Sequence, residues 1–452
     1  MAYTRFDRIV WAVLGLLVLA IAGVMLAGDH VGVGLDLLSP SGEGQAAASA
    51  PLVLRFDQPM VAASLEGRLR IQPEVPYRTH WQEQTLIIQP QSPWQVGETY
   101  TLSLEAGVES QLGHQLLEDY AYTFTVREPG LAFLVETDQG RELWAASTLG
   151  EDPARLSSPG HSVFDFGVAP DGERLVYSTA NEGGGLDLVQ VTRDGQADLL
   201  LNCGLDRCTN PAWSPDGSQI AYSRAPAGLD EGQPYGPLRV WLLDVFSGET
   251  FRLHADTQKL GYSPVWSPDG GRLAYFNGVE GRIVVVDMQS GDETYLPTGS
   301  GAAGTWSPDG QHMLFYDIQT VGGQALNVIY RADFANQDVL PLFDPLPSDA
   351  SYSSPAWSPD GEWVAFRVRP LEVGPGDQVW ITPADGAYAL VVSGDEGYIH
   401  SDLEWDSSGQ RLLFKRIALG VSFPDQEIWL WTREDNQLEQ VVPDGTMPVW
   451  LP

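Results

Sequence analysis

Residues 211–223 read "PAWSPDGSQIAYS", and the architecture follows from working outward from them. A short apolar run ends on Trp213, and Ser-Pro-Asp-Gly then reverses the chain. Pro215 presets φ for the first corner, the Asp216 carboxylate can accept neighbouring amides, and Gly217 takes the positive φ that closes a hairpin. "QIAYS" then alternates apolar and polar residues, which marks a strand and not a helix. Close copies begin at 264 (Trp266, Asp269, Gly270), 304 (Trp306, Asp309, Gly310) and 355 (Trp357, Asp360, Gly361). Weaker copies are "FGVAPDGERLVYS" from 166 and "LEWDSSGQRLLFK" from 403, whose anchor is Trp405. With Val168 and Trp450 included, the anchors lie 45, 53, 40, 51, 48 and 45 residues apart, the length of one four-stranded propeller blade.

Each unit continues with a third strand such as "RVWLLDV" (239–245), a polar turn and a short fourth strand. The Trp anchors are predicted to fill the gaps between blades. The chain ends "GTMPVWLP" (445–452), a first strand with nothing after it, while "GLAFLVETDQGRELWAASTLGEDPARL" (130–156) has later strands but no Trp-bearing first one. Together they make one blade, so the C-terminus is expected to close a ring of seven and leave no long sheet edge exposed. The repeated "WSPDG" resembles the WD40-like (PD40) repeat of TolB-type β-propellers over residues 128–452. That resemblance implies exported propellers that act mainly through protein partners, and in some members a gating domain of a serine peptidase. Because the chain stops at Pro452 and holds no Gly-x-Ser-x-Gly elbow, it is expected not to be an enzyme.

Composition narrows the partners. Sixty acids against 25 bases give a net charge of −35, which repels phosphate backbones, so nucleic acid is excluded. Residues 1–8 carry Arg5 and Arg8, and 9–28 is an uncharged apolar run long enough to cross a bilayer. The flanking charges predict a signal anchor with residues 1–8 in the cytoplasm and the remainder membrane-tethered outside; a cleaved signal peptide is the rival reading. Cys203 and Cys208 fit an oxidising compartment and are expected to form a disulfide.

Residues 29–50 are small and polar and read as a flexible linker. Residues 51–127 alternate as a small sandwich, and "LRFDQPM" and "GETYTLSLEAGVESQLGHQL" resemble bacterial Ig-like domains, which implies a spacer lifting the propeller from the membrane. The overall expectation is all-β: one transmembrane helix, an Ig-like sandwich and a seven-bladed propeller.

The recurring aspartates are turn residues, and no metal-ligand spacing or cofactor motif occurs, so no metal or cofactor is expected. Propeller ligands are expected at the loops entering the inner strands. Three residues before each anchor stand Asp165, Asn210, Ser263, Ala303, Ser354, Asp402 and Met447, with Tyr262, Tyr398 and His400 nearby. Asp165, Asn210, Tyr262, Ser263, Ser354, Tyr398, His400 and Asp402 are therefore the candidate binding residues. The expected function is non-catalytic binding of a protein, peptide or glycan in the cell envelope. The alternative is an enzyme acting on glycan or peptide at the channel mouth.

Overall fold

The computed structural model describes residues 32–452 apart from 41–43, 147–148, 150, 229–232, 344–348, 373 and 423, together with residues 11, 14, 15 and 17. The expected membrane segment, 9–28, lies almost wholly outside these. No helix among the described residues is long and apolar enough to cross a membrane. From residue 32 onward they form strands and turns with one short 3-10 helix, Ala62–Leu65.

The N-terminal unit packs two four-stranded sheets face to face. One runs Leu35–Ser39, Leu52–Phe56, Thr85–Pro90, Tyr77–Gln82 in spatial order, and the other Gln45–Ala46, Tyr120–Val126, Thr99–Leu104, Leu69–Gln72. Alternation explains the packing: Tyr100, Leu102 and Leu104 are buried on one strand and Phe124 and Val126 on its neighbour. Trp94 stands at the centre, 5.0 Å from Tyr100 and 5.5 Å from Phe124, and its indole N–H donates to the Ala50 carbonyl at 2.8 Å. The linker expected over 29–50 is corrected here. Leu35–Ser39 is a sheet strand, and Ala46, Ala47, Ala48 and Ala50 are buried because their small side chains fit against the Trp94 core.

The rest of the chain repeats one pattern, an inner strand ending at the anchor and three strands stepping outward. The anchors Trp266, Trp306, Trp357 and Trp405 each belong to their own four-stranded sheet. The Val168 and Trp213 units share one sheet through a single parallel pairing, Leu186 with Arg207, beside the Cys203–Cys208 disulfide. The last sheet takes Thr446–Leu451 as its inner strand against Gly130–Thr137, with Trp450 opposite Leu131.

One device ties neighbouring units together and a second completes each turn. First, indole N–H groups reach back one unit to the carbonyl just before the previous anchor: Trp266 to Ala212, Trp306 to Val265 and Trp405 to Ala356 at 3.2 Å, and Trp450 to Glu404 at 3.1 Å. Trp213 and Trp357 make no such bond. They follow the two irregular units, one anchored by Val168 and one whose inner strand is only Thr305–Trp306. Second, the Ser-x-Asp turn is self-satisfied. Ser214 donates to Asp216 at 2.5 Å, Asp216 accepts the Ser218 amide at 3.0 Å, and Gly217 sits at φ 70°. The same bonds recur at Asp269, Asp309 and Asp360. In the "WDSSG" copy Asp406 takes over the role of the serine and also pairs with Arg411 at 2.9 Å.

These turns meet the Ig-like unit. His80 Nε2 lies 2.9 Å from Asp216, Gln82 donates to Asp244 at 2.8 Å, Gln89 to the Pro215 carbonyl at 3.2 Å, and Ser49 to the Pro170 carbonyl at 2.8 Å. Arg127, at the junction, donates to the carbonyls of Pro452 and Asp171 at 3.0 Å and pairs with Glu173. The expected free-standing spacer is thus docked on the turn face of the repeats, because its polar strand Tyr77–Gln82 finds partners there.

Candidate functional site

The inner strands themselves carry the expected site, three residues before each anchor. In six units the pairing of inner and second strand slips just before the anchor, as between Thr209 and Ala212 or Ser401 and Glu404. Such a bulge turns residues out of the ladder. At five of the slips the residue three before the anchor adopts the left-handed region: Asn210 (φ 52°), Ser263 (53°), Ser354 (51°), Asp402 (56°) and Met447 (52°). Asn and Asp tolerate this conformation, whereas Met is uncommon there. The register slip therefore gives this position of the repeat a shared backbone geometry.

Asp165 and Asn210 are brought into direct contact. The Asp165 carboxylate accepts the Asn210 amide at 2.8 Å and the Ser178 hydroxyl at 2.5 Å. Burial pushes the Asp165 carboxyl above the ordinary range against the pull of those bonds. The Ser263 amide donates to Ser223 at 3.0 Å in the preceding unit. Asp402 pairs with Lys415 at 3.3 Å, and the ammonium donates in turn to Thr446 at 3.1 Å. Tyr262 packs edge-on against Phe276, 5.6 Å between ring centres.

Two expected residues are placed elsewhere. His400 is fully buried, so it is corrected from a mouth residue to an internal one. Its Nδ1 lies 3.0 Å from Asp377 and its Nε2 3.0 Å from the Ser393 hydroxyl. These are the contacts of a Ser-His-Asp triad, yet Ser393 is only 3% exposed and no substrate reaches its oxygen. Burial alone would raise the Asp377 carboxyl, but His400 and Arg367 hold it below the usual range. The cluster clasps two adjacent sheets. Tyr398 is likewise occupied: the Arg416 guanidinium stands 3.9 Å from its ring and 3.8 Å from Trp429, with Asp395 at 2.9 Å.

Sequence reasoning missed Glu404. One residue before the anchors the repeats carry Gly167, Ala212, Val265, Thr305, Ala356, Glu404 and Val449, a series with a single acid. Glu404 is half-buried beside Trp450 of the closing inner strand, whose indole N–H donates to the Glu404 carbonyl. Burial pushes the Glu404 carboxyl up to about 8, Asp402 adds to the rise, and the Trp450 amide opposes it. At neutral pH it is a protonated acid beside the Asp402–Lys415 ion pair. A neutral proton donor next to a charged pair is an arrangement suited to general acid–base chemistry. The signal that would have found it is the odd residue within an otherwise small or apolar series.

Comparison with known proteins agrees with this architecture. Residues 37–126 match the model for a bacterial Ig-like domain. An uncharacterised protein of Agrobacterium fabrum is 29% identical over 219 residues, 46% of this chain and 71% of that protein. The "Uncharacterized peptidase YuxL" of Bacillus subtilis is 26% identical over 218 residues, 47% of this chain but only 30% of the peptidase. Among solved structures, TolB of Acinetobacter baumannii is 14% identical with a TM-score of 0.43, covering 79% of this chain and 80% of its own. An oligogalacturonate lyase of Vibrio parahaemolyticus is also 14% identical, with a TM-score of 0.49, covering 86% and 94%. The expectation that the chain is not an enzyme is corrected by one of these relatives, since the Bacillus subtilis protein matching 47% of this chain carries the name of a peptidase.

Proposed function

We propose that this chain, a bacterial Ig-like domain joined to a TolB-like propeller, is an enzyme that acts on a glycan or peptide at the mouth of the propeller channel. In this reading the repeats close into seven blades, with Thr446–Leu451 completing the one begun at Gly130. The propeller is exported and held at the membrane by the apolar run 9–28, and the Cys203–Cys208 disulfide suits that compartment.

The observation that carries the reading is the protonated Glu404 beside the Asp402–Lys415 pair. A chain reaching Glu404 meets a proton donor, and the Asp402 carboxylate paired with Lys415 lies a bulge away. Asp165, Asn210, Ser263 and Ser354 offer polar groups along the same mouth to orient a polymer.

The test is turnover. The full chain is incubated with oligogalacturonates, other acidic and neutral oligosaccharides, and unstructured peptides, and products are read by mass spectrometry. Glu404→Gln abolishes turnover while the chain stays folded. The wild-type rate falls as pH rises through about 8, because the acid is then ionised. Turnover unaffected by Glu404→Gln sinks the assignment, and a panel with no turnover at all removes the catalytic reading.

A further inference from the structure

Between the Ig-like domain and the turn face lies a cavity of about 1070 Å³. Its floor includes the Ser-Pro-Asp-Gly turns of three consecutive units, with Asp216, Asp269 and Asp309 among the lining residues. Its roof includes Arg78 through Gln82 without a gap. Side chains of a strand alternate between faces, so five consecutive lining residues mean that the strand borders the cavity with its edge. Among the described residues Tyr77–Gln82 is the last strand of its sheet and pairs only with Thr85–Pro90. Its other edge carries backbone donors and acceptors with no strand beside them.

The bridging contacts are uneven. They tie the roof to Asp216, Asp244 and the Pro215 carbonyl, and more loosely to Asp269, whose carboxylate is 3.9 Å from Arg78. Asp309 receives no contact from the roof, and its side chain is 60% exposed. The cleft is therefore pinned on one side and acidic on the other.

We propose that this cleft binds an extended peptide that adds to the open edge of Tyr77–Gln82 and delivers Arg or Lys side chains to Asp269 and Asp309. Edge addition supplies main-chain hydrogen bonds, and the carboxylates select for basic residues. A glycan is the rival occupant, because Trp81, Trp266 and Trp357 line the cavity half-buried and the Trp357 N–H has no partner among the described residues. Trp306, by contrast, is 6% exposed, and the N–H groups of Trp266 and Trp306 are committed to Ala212 and Val265. The proposal uses neither Glu404 nor the Asp402–Lys415 pair, none of which lines the cavity.

Fluorescence anisotropy with the full chain tests it. The probe is a labelled eight-residue peptide alternating Arg and Val. The comparison peptides replace Arg by Glu, or carry N-methyl groups on the valines alone or on the arginines alone. N-methylation removes edge donors without changing charge, which separates edge addition from general attraction to a chain of charge −35. The Arg peptide is expected to bind, the Glu peptide at least roughly tenfold more weakly, and one of the two N-methylated peptides weaker by a similar factor. Asp269→Asn with Asp309→Asn should weaken the Arg peptide about tenfold at an unchanged melting temperature, since Asn still accepts the turn amides. Thr79→Pro, a change at the edge strand, provides a second variant. Equal binding of both N-methylated peptides, equal binding of the Glu peptide, no binding at about 1 mM, or displacement by an oligosaccharide overturns the proposal.

Discussion

Replacing Glu404 by Gln should make the protein more stable at neutral pH, and the gain should vanish in acid. The folded carboxyl titrates near 8, against an ordinary value of 4.5. Between those values the folded chain keeps a proton that the unfolded chain has released. The unfolded state then binds fewer protons, so stability falls as pH rises through the window. At pH 7 the window spans roughly 2.5 units, and at 1.36 kcal/mol per unit the cost is about 3 kcal/mol. Glutamine is neutral and fills the same space, so it removes that cost. Spread over the roughly 320 residues of the propeller at about 2.1 cal/mol/K each, this is a melting shift on the order of 4–5 °C. The assay is thermal unfolding of both proteins at pH 4, 5.5, 7 and 8.5. The difference should be near zero at pH 4 and grow to a plateau above pH 8. A difference that stays constant across pH, or a Gln variant that melts lower at pH 7, refutes the reasoning. A variant both more stable and inactive would be the pattern of a site that trades stability for chemistry.

His400→Ala should cost on the order of 3 kcal/mol, since it leaves a void and strands Asp377 and Ser393, yet spare any turnover; denaturant unfolding and activity read the two separately. Trp266→Phe keeps most of the packing but loses the bond to Ala212, and about 1 kcal/mol of destabilisation is expected by urea titration. Cys203→Ser with Cys208→Ser opens a loop of sequence separation 5, for which chain entropy gives about 2 kcal/mol, measured by comparing oxidised, reduced and variant melting.

What the sequence makes legible is local and repeated. Six Trp anchors, the Pro-Asp-Gly turns and the unmatched "GTMPVWLP" announce themselves because the same local chemistry recurs, and each copy corroborates the others. Asp216 and its equivalents read correctly as turn residues on that ground, as their bonds show. What fails depends on a relation between units. His400 looks like any polar loop residue until Asp377 and Ser393, 23 and 7 positions away, enclose it. Glu404 is one acid among 60 until the folded inner strands half-bury it beside Asp402 and Trp450. The small residues after Pro40 look like a tether because alanine packs in a core as readily as it populates a linker. Docking of the Ig-like domain rests on a handful of single polar contacts, none of which leaves a pattern in the chain.

Pairing Gly130–Thr137 with Thr446–Leu451 also sets an order of events. The earlier strand leaves the ribosome some three hundred residues ahead of its partner, a delay of roughly 15–60 s at ordinary elongation rates. For that interval its backbone is an unclaimed edge, open to neighbouring nascent chains. Contacts this distant in sequence also form slowly after synthesis, because loop closure precedes their reward. Thr446–Leu451 is thus a latch thrown long after its partner strand is made, and that strand stays vulnerable until it is.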